Sequence, residues 1–240
     1  MSTTSASCDL IKFEMVDMIG HIVLNDPPEN RMTMQFFKRL HEIVNNIKEL
    51  DYIRGLIIRS NGRHFSSGAD LNDLIQAVKS SIMIDGQKGV NDYSSVLYQN
   101  VETFNSIASL KIPVVAAIQG VCIGSALELA LCAQVRVCEQ RTSLGLPEVL
   151  FNLMPGCGGT VRLPHLTGVS TAMELVMSGE IISAEDAFVK GITDAIVPRK
   201  QSTEIAIHLI KMFENSGSGG SFRDMVLKCV TSGDLSRIDP

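Results

Sequence analysis

Two short runs of apolar residues most constrain the fold of this chain. Residues 56–58 and 114–118 are continuously apolar and lack the alternation of a strand that has one face in water. Strands of this kind are buried on both faces, as in parallel sheets covered by helices. Because parallel neighbours need a crossover connection, usually a helix, the runs predict an α/β fold with a mostly parallel sheet.

Helix-length segments alternate with strands up to about Cys138, and helices dominate after Pro155. The clearest helix follows Thr33, a residue type that caps helices, and its apolar side chains recur at intervals of three and four up to Leu50. Residues 120–124 are interpreted as a turn, residues 85–92 as a mobile surface segment and residues 216–221 as a flexible linker. The other predicted helices begin near residue 71 and cover about 93–110, 125–132, 168–178, 184–190, 203–213 and 222–230, and further strands cover 20–25, 135–138 and 195–197.

The composition is that of an ordinary globular protein. A length of 240 residues, 45% hydrophobic and 20% charged, suits one large domain with a sizeable core. The net charge of −5 argues against a basic nucleic-acid-binding protein. No apolar run reaches the roughly 20 residues of a membrane span, and residues 1–8 lack the apolar core of a signal peptide. We therefore expect a cytoplasmic protein without nucleic-acid or membrane partners.

Motifs of several common enzyme classes are missing from the sequence. It contains no phosphate-binding P-loop, no HExxH zinc motif and no GxSxG elbow, and the glycine-rich segment 156–160 has no lysine where a P-loop needs one. The six cysteines form no CxxC pair and have no histidine at zinc spacing. We interpret them as buried thiols and expect no metal site.

Two loops that follow buried strands carry small residues where a helix begins. The first runs from His64 to Leu71 and the second from Gly120 to Leu129. Small residues let a ligand approach the backbone, and the first N–H groups of a helix lack partners inside it. Two such helix starts facing one point would stabilise a developing oxyanion. The alternative is that the small residues only allow the chain to turn and pack.

Glu128 and Glu148 both lie in apolar sequence. The spacing from Ser125 to Glu128 is that of a capping box, in which the carboxylate accepts a hydrogen bond from a backbone N–H at the start of its own helix. The alternative interpretation of Glu148 is a surface carboxylate on an irregular segment. If both line one apolar pocket, burial and mutual repulsion raise the proton affinity of at least one. Such a pair can hold a water, remove its proton and return a proton elsewhere.

Taken together, these residues resemble the crotonase family, also called the enoyl-CoA hydratase/isomerase superfamily, from about Ile11 to Pro198. The resemblance implies an α/β fold with a crotonase-like spiral core of repeated ββα units, residues 1–198, followed by a short helical C-terminal part, residues 199–240. The stretches that carry it are Asn25-Asp26-Pro27, Phe65 to Leu71, Ile112 to Leu131, and the highly specific Leu146-Pro147-Glu148-Val149 with Met154-Pro155-Gly156-Cys157-Gly158-Gly159-Thr160.

The resemblance also implies the ligand, an acyl-CoA thioester, so that coenzyme A is part of the substrate and no separate cofactor is needed. It assigns the oxyanion-hole N–H groups to Ala69 and Ser125 and the hydratase glutamates to Glu128 and Glu148. The residues expected to bind the CoA thioester are Ser67, Gly68, Ala69, Asp70, Leu71 and Gly124.

Many family members that are not hydratases lack one or both carboxylates, so the presence of both favours a lyase, an enoyl-CoA hydratase of the kind that acts in fatty acid metabolism. The expected reaction adds a water, held between Glu128 and Glu148, to the β-carbon of a 2-enoyl-CoA. A proton delivered by Glu148 goes to the α-carbon and completes the 3-hydroxyacyl-CoA.

The sequence departs from the family pattern in two places. Where the family usually has a run of glycines, this chain has Gly124-Ser125-Ala126, whose side chains crowd the site and restrict the acyl group. The family's C-terminal helices, which help to form trimers or pairs of trimers and cover the acyl pocket, usually extend over more residues than 199–240. We expect a homotrimer or homohexamer in which the closure of the pocket is altered.

Two alternatives to hydration remain open. One is another reaction of an acyl-CoA on the same frame, namely double-bond isomerisation, decarboxylation or thioester hydrolysis. The other is an acyl-CoA-binding subunit without activity, against which the two glutamates argue. The CoA phosphates are expected to meet Arg59, Arg63 or Lys79, unless these belong to a solvated charged face, and Arg162 is expected to be structural.

Overall fold

A six-stranded sheet forms the centre of the fold. The computed structural model describes residues 9–82, 93–216 and 220–233, with the backbone alone for 77–82 and 93–95. The strands are β1 Ile11–Val16, β2 Ile19–Leu24, β3 Gly55–Ser60, β4 Val114–Ile118, β5 Val121–Ile123, β6 Val135–Glu139, β7 Ser143–Gly145, β8 Ile181–Ser183 and β9 Ala195–Val197. The order in the large sheet is β1-β2-β3-β4-β6-β9, and every neighbouring pair is parallel except the β1–β2 hairpin. The predicted mostly parallel sheet is confirmed.

A second sheet of three short strands accompanies the first. Strand β5 pairs in parallel with β7, and β7 pairs antiparallel with β8. The interpretation of residues 120–124 as a turn is therefore wrong, because Val121–Ile123 form a strand. The chain turns at the glycines on either side, Gly120 and Gly124, which have φ angles of 66° and 59°. Side chains rarely tolerate this backbone conformation, so glycine is the favoured residue at both positions.

The helices agree with most of the predicted segments. Thr33 caps the first of them by accepting a hydrogen bond from the N–H of Phe36, and Ser183 caps another by accepting one from Asp186. Residues 85–92 and 217–219 lie outside the described part of the chain. The helices are α1 Met34–Lys48, α2 Leu71–Ile82, α3 Tyr93–Ala108, α4 Ser125–Ala130, α5 Gly159–Thr167, α6 Val169–Ser178, α7 Ala184–Val189, α8 Ser202–Ser216 and α9 Phe222–Ser232, with a 3₁₀ helix at Pro147–Phe151. None of the helices in the described ranges is long and apolar enough to cross a membrane.

The large sheet separates two apolar cores. In β3, Leu56 and Ile58 belong to the core that contains residues of α1 and α4, whereas Ile57 belongs to the core formed with the C-terminal helices. The second core receives Ile205, Ala206, Leu209 and Ile210 from α8 and Phe222 and Val226 from α9. Because successive strand residues point to opposite faces, the two C-terminal helices cover the face of the sheet opposite to α4.

A buried ion-pair network attaches α9 to the sheet. Arg136 of β6 is 1% exposed and forms a 2.6 Å ion pair with Asp194, whose other oxygen accepts from Arg223 of α9 at 2.7 Å. Each buried charge therefore has a partner of opposite sign.

The described cysteines are mostly buried thiols, as the sequence predicts. Cys122, Cys132, Cys138 and Cys157 are buried and free, and Cys229 is half-buried. Burial raises the pKa of the first four thiols, so they remain protonated at neutral pH. Cys8 lies outside the described residues.

Candidate active site

The loop before α2 lies between two other backbone segments. On one side, the N–H of Met32 donates to the carbonyl of Gly68 (2.9 Å), and the N–H of Asp70 donates to the carbonyl of Met32 (3.1 Å). On the other side, Ser66 donates to the carbonyl of Val121 and accepts from the N–H of Ile123. These hydrogen bonds fix the backbone on both sides of residue 69.

Glycine at position 68 allows this loop to reach the start of α4. Gly68 has a φ of +86°, and a Cβ added there would lie 2.6 Å from the carbonyl oxygen of Ile123 and 3.4 Å from the nitrogen of Ser125. No side chain fits into that space unless the backbone moves. The close approach therefore places Ala69 near the first residue of α4.

The N–H groups of Ala69 and Ser125 are free to bind a ligand. Within residues 9–82, 93–216 and 220–233, neither N–H donates a hydrogen bond to another protein atom. Both residues line the same cleft, and Ser125 begins α4, whose N-terminal end is positive. This arrangement of donors can stabilise negative charge on an oxygen atom.

The cleft has a volume of about 860 Å³, and every predicted site residue lines it except Glu128. Asp70 also caps α2, since its side chain accepts hydrogen bonds from the N–H groups of Asn72 and Asp73. The predicted residues on the cleft surface are Ser67, Gly68, Ala69, Asp70, Leu71, Gly124, Ser125 and Glu148, and apolar residues that the sequence did not single out include Met32, Phe37, Leu74, Val96, Leu97, Phe151, Leu153 and Met154.

Glu148 reaches the cleft from the 3₁₀ helix that begins at Pro147. Its Oε1 lies 3.1 Å from the position that a Cβ on Gly124 would occupy, so the carboxyl group lies beside the start of α4. Its Oε2 is buried and has no hydrogen-bond partner among the described residues. Burial above all, with a further contribution from the charge of Glu128, raises the pKa of Glu148 to about 7.

Glu128 lies behind the cleft surface and is 0% exposed. Its Oε1 accepts hydrogen bonds from the backbone N–H groups of Cys157 (2.7 Å) and Gly159 (2.8 Å). Burial raises the pKa of Glu128, and the two N–H donors oppose that rise. The capping-box alternative is wrong, because the N-cap of α4 is Gly124 and no side chain caps this helix.

The glycine-rich segment after Pro155 holds the carboxylate of Glu128, a role that the sequence did not reveal. A Cβ added to Gly159 would lie 3.1 Å from Glu128 Oε1, and Gly158 has a φ of +99°. The absence of side chains at positions 158 and 159 thus lets the N–H groups of Cys157 and Gly159 both turn toward one carboxylate oxygen. The signal in the sequence is the pair of glycines directly after Cys157.

Of the predicted phosphate-binding cations, Arg59 and Arg63 do not line the cleft. Arg59 forms a 2.8 Å ion pair with Glu14, Arg63 is absent from the lining residues, and the side chain of Lys79 lies outside the described part. Arg31 is the only lysine or arginine among the described residues that line the cleft. Its guanidinium forms ion pairs with Glu29 and, at 3.5 Å, with Asp70.

Arg162 behaves as a structural residue, as the sequence predicts. Its guanidinium donates to the carbonyl of Cys157 (2.8 Å) and to the side chain of Asn105 (2.5 Å). It thereby connects α3 to the segment that holds Glu128.

The raised pKa of Glu148 predicts a pH-dependent stability. The group titrates near 4.5 when unfolded and near 7 when folded. Between these values the unfolded chain releases a proton that the folded chain keeps, so the contribution of Glu148 to stability is lost as pH rises through about 7. We expect the melting temperature of Glu148→Gln, relative to wild type, to increase as pH rises from about 5 to about 8. A difference that is constant across this range would show that the pKa is not raised.

The chain belongs to the enoyl-CoA hydratase/isomerase family, whose model matches residues 14–221. Solved structures of similar proteins have the same fold. Enoyl-CoA hydratase from Bacillus anthracis is 29% identical, with 87% of this chain and 78% of that chain covered and a TM-score of 0.74. Pseudomonas aeruginosa DspI is 24% identical (98% and 85% covered, TM-score 0.76), and a putative enoyl-CoA hydratase from Thermobifida fusca YX in complex with CoA is 22% identical (97% and 95% covered, TM-score 0.75). The predicted crotonase-like fold is confirmed.

Proposed function

We propose that this protein hydrates a 2-enoyl-CoA thioester to a 3-hydroxyacyl-CoA. One observation carries the proposal: the Glu148 carboxyl lies beside Gly124, the residue before the free N–H of Ser125, in a cleft that Ala69 also lines. Acid–base and oxyanion-stabilising groups therefore meet in one place. Membership of the family supports an acyl-CoA substrate, as does the CoA complex of the similar Thermobifida fusca protein.

The thioester oxygen is the group that the two free N–H donors would bind. When a nucleophile adds to the β-carbon, negative charge moves to this oxygen. The N–H groups of Ala69 and Ser125 then donate to it, and each such donor typically lowers the barrier by about 3 kcal/mol. The positive end of α4 adds to this stabilisation. Coenzyme A remains attached throughout as part of the substrate.

The two glutamates exchange protons with the water and the substrate. The water oxygen forms a bond to the β-carbon while its proton passes to Glu128, and the double-bond electrons move toward the thioester. Glu148 delivers a proton to the α-carbon. A pKa of about 7 leaves a large fraction of Glu148 protonated at neutral pH, as a general acid requires.

A second candidate is double-bond isomerisation, and the burial of Glu128 favours it. Only Glu148 of the two glutamates lines the cleft. A single carboxyl group can remove a proton from one carbon and return it to another, so isomerisation does not need Glu128. The reaction leaves the mass of the acyl-CoA unchanged, whereas hydration adds one water.

A panel of 2-enoyl-CoA thioesters of varied acyl size tests the proposal. We expect loss of the enoyl-thioester absorbance with at least one member of the panel, because the cleft combines the oxyanion donors with a titratable acid. Binding of CoA thioesters without turnover of any member would contradict the proposal and identify a non-catalytic acyl-CoA-binding subunit.

We further propose that the chain forms a homo-oligomer through the exposed apolar side of α6. Val169, Met173 and Met177 recur at intervals of four along α6 and are 65%, 60% and 62% exposed. Large apolar side chains clustered on a surface are typical of protein–protein interfaces, and a second copy of the chain is the occupant that we propose.

A charge on this side is expected to dissociate the oligomer. Met173→Glu places a carboxylate where the proposed interface excludes water, which weakens association by at least about tenfold. Sedimentation velocity should show a smaller species than wild type. The control is Met15→Glu on β1, where the replaced side chain is 38% exposed and distant in sequence. Equal sedimentation of Met173→Glu and wild type would place the interface elsewhere.

A further inference from the structure

We propose that Ser125 is a catalytic residue whose hydroxyl connects buried Glu128 with the reacting water in the cleft. The inference rests on the proposed function and deepens it. The proposed role is that of the Ser125 hydroxyl. It is separate from the role of the Ser125 backbone N–H.

The two residues occupy the same side of a short helix at different depths. Ser125 is the first residue of α4 and Glu128 follows three residues later, so their side chains are neighbours on one helix face. Ser125 lines the cleft, whereas Glu128 is 0% exposed and does not. A group at position 125 therefore lies between the cleft and the carboxylate.

One oxygen of Glu128 is available to the serine. Oε1 accepts from two backbone N–H groups, but the buried Oε2 has no hydrogen-bond partner among residues of the described ranges. A buried carboxylate oxygen without a donor is costly, so a hydroxyl beside it is stabilising. Serine supplies one donor and two acceptor positions, which lets it donate to Oε2 and accept from a water at the same time.

The other charged and titratable groups around Glu128 do not provide this connection. Arg162 of α5 favours the charged form of Glu128 but donates its own hydrogen bonds to Cys157 and Asn105. Burial raises the pKa values of Glu148 and of the Cys157 and Cys132 thiols, and the charge of Glu128 raises them further. Burial raises the pKa of Glu128. The backbone N–H groups of Gly159 and Cys157 and the charge of Arg162 lower it. The Ser125 side chain lowers it as well.

In the proposed proton path, Ser125 gains one proton and loses one. As the water oxygen forms its bond to the β-carbon, a water proton moves to Ser125 Oγ while the Ser125 hydroxyl proton moves to Glu128 Oε2. The serine is unchanged, and Glu128 has gained one proton. Glu148 gives its proton to the α-carbon, and proton exchange with solvent restores both carboxyl groups.

The titration of Glu128 in the free protein tests this connection. Carboxyl carbons are labelled with ¹³C and followed by NMR across the pH range, with Glu128→Gln used to assign the signal. We expect Ser125→Ala and Ser125→Gly to raise the pKa of Glu128, since both remove the donor and keep the N–H. Ser125→Thr retains the hydroxyl and should retain the wild-type titration. An unchanged Glu128 titration in both the alanine and the glycine variants would overturn the proposal.

Kinetics separate this role from a steric one. We expect Ser125→Ala to lower kcat by about tenfold or more and to move the acidic limb of the pH profile toward higher pH, with rescue by Ser125→Thr. A change in acyl-size preference without a shift of the pH profile would assign Ser125 a steric role and contradict the connection. If wild type converts no enoyl-CoA, the proposed function fails, while the carboxyl titration still decides whether Ser125 acts on Glu128.

Discussion

Glu148→Gln is expected to lower kcat by about 10²- to 10⁴-fold, the range that a general acid–base group typically contributes. Glutamine preserves the size and shape of the side chain but neither releases nor accepts the proton that the α-carbon requires. Of the two glutamates, Glu148 lines the cleft and Glu128 does not. Glu128 therefore cannot replace Glu148 in contact with a bound ligand. Steady-state kinetics on the enoyl-CoA that wild type converts fastest measure the effect.

The interpretation of this variant needs a check on binding and a matched substitution. Affinity for the CoA thioester, measured by calorimetry, should change little because the amide keeps the packing beside Gly124. Glu180→Gln is the control, since Glu180 is an exposed residue that does not line the cleft. A Glu148→Gln protein as active as its parent would remove Glu148 from the mechanism.

Gly68→Ala is the second substitution with a large expected effect. A Cβ at this position would lie 2.6 Å from the carbonyl oxygen of Ile123, and the residue has a φ of +86°. The two loops must separate to accept the methyl group, so the N–H groups of Ala69 and Ser125 no longer converge. We expect kcat/KM to fall by about 10²- to 10³-fold, the effect of losing one oxyanion donor. Backbone strain should also lower the free energy of unfolding by about 1–3 kcal/mol.

Gly168→Ala separates strain from the loss of converging donors. Gly168 has a φ of +80°, but a Cβ added there meets no atom within 4 Å. This variant has the same kind of backbone strain without a steric clash, so it should lose stability by about 1 kcal/mol and keep its kcat/KM. If Gly68→Ala loses no more kcat/KM than Gly168→Ala, the two N–H groups do not stabilise the reaction.

Local patterns in the sequence were sufficient for the centre of the fold. The apolar runs of β3 and β4 and the amphipathic α1 are each specified by their own residues. The sequence does not predict strand β1, because its hairpin turn, Asp17-Met18, has two residues with positive φ but no glycine to signal it. Strands β5, β7 and β8 have three residues each, and their pairing is set by distant parts of the chain.

The candidate site was predicted from motif resemblance, and spacing alone left its main ambiguity open. Ser125 and Glu128 have the spacing of a capping box. With this spacing, Glu128 can be either a helix-capping residue or a buried carboxylate. The structure decides between them through the N–H groups of Cys157 and Gly159, about thirty residues away in sequence. No local pattern reports such a contact. The catalytic and binding roles assigned to the site residues stay predictions.

The two C-terminal helices lie away from the cleft. Both α8 and α9 pack on the face of the sheet opposite to α4. The described residues that line the cleft run from Glu29 to Cys157, so neither helix contributes to it. The predicted change in the closure of the cleft stays a prediction.

The origin of the oxygen atom in the product tests the central claim most directly. The protein is incubated with a 2-enoyl-CoA in water enriched in ¹⁸O, and the product is analysed by mass spectrometry beside a Glu148→Gln sample. Hydration predicts a 3-hydroxyacyl-CoA that has gained one water and contains the label, formed far more slowly by the variant. An unlabelled product of unchanged mass, which isomerisation would give, or a cleaved acyl-CoA would contradict the account.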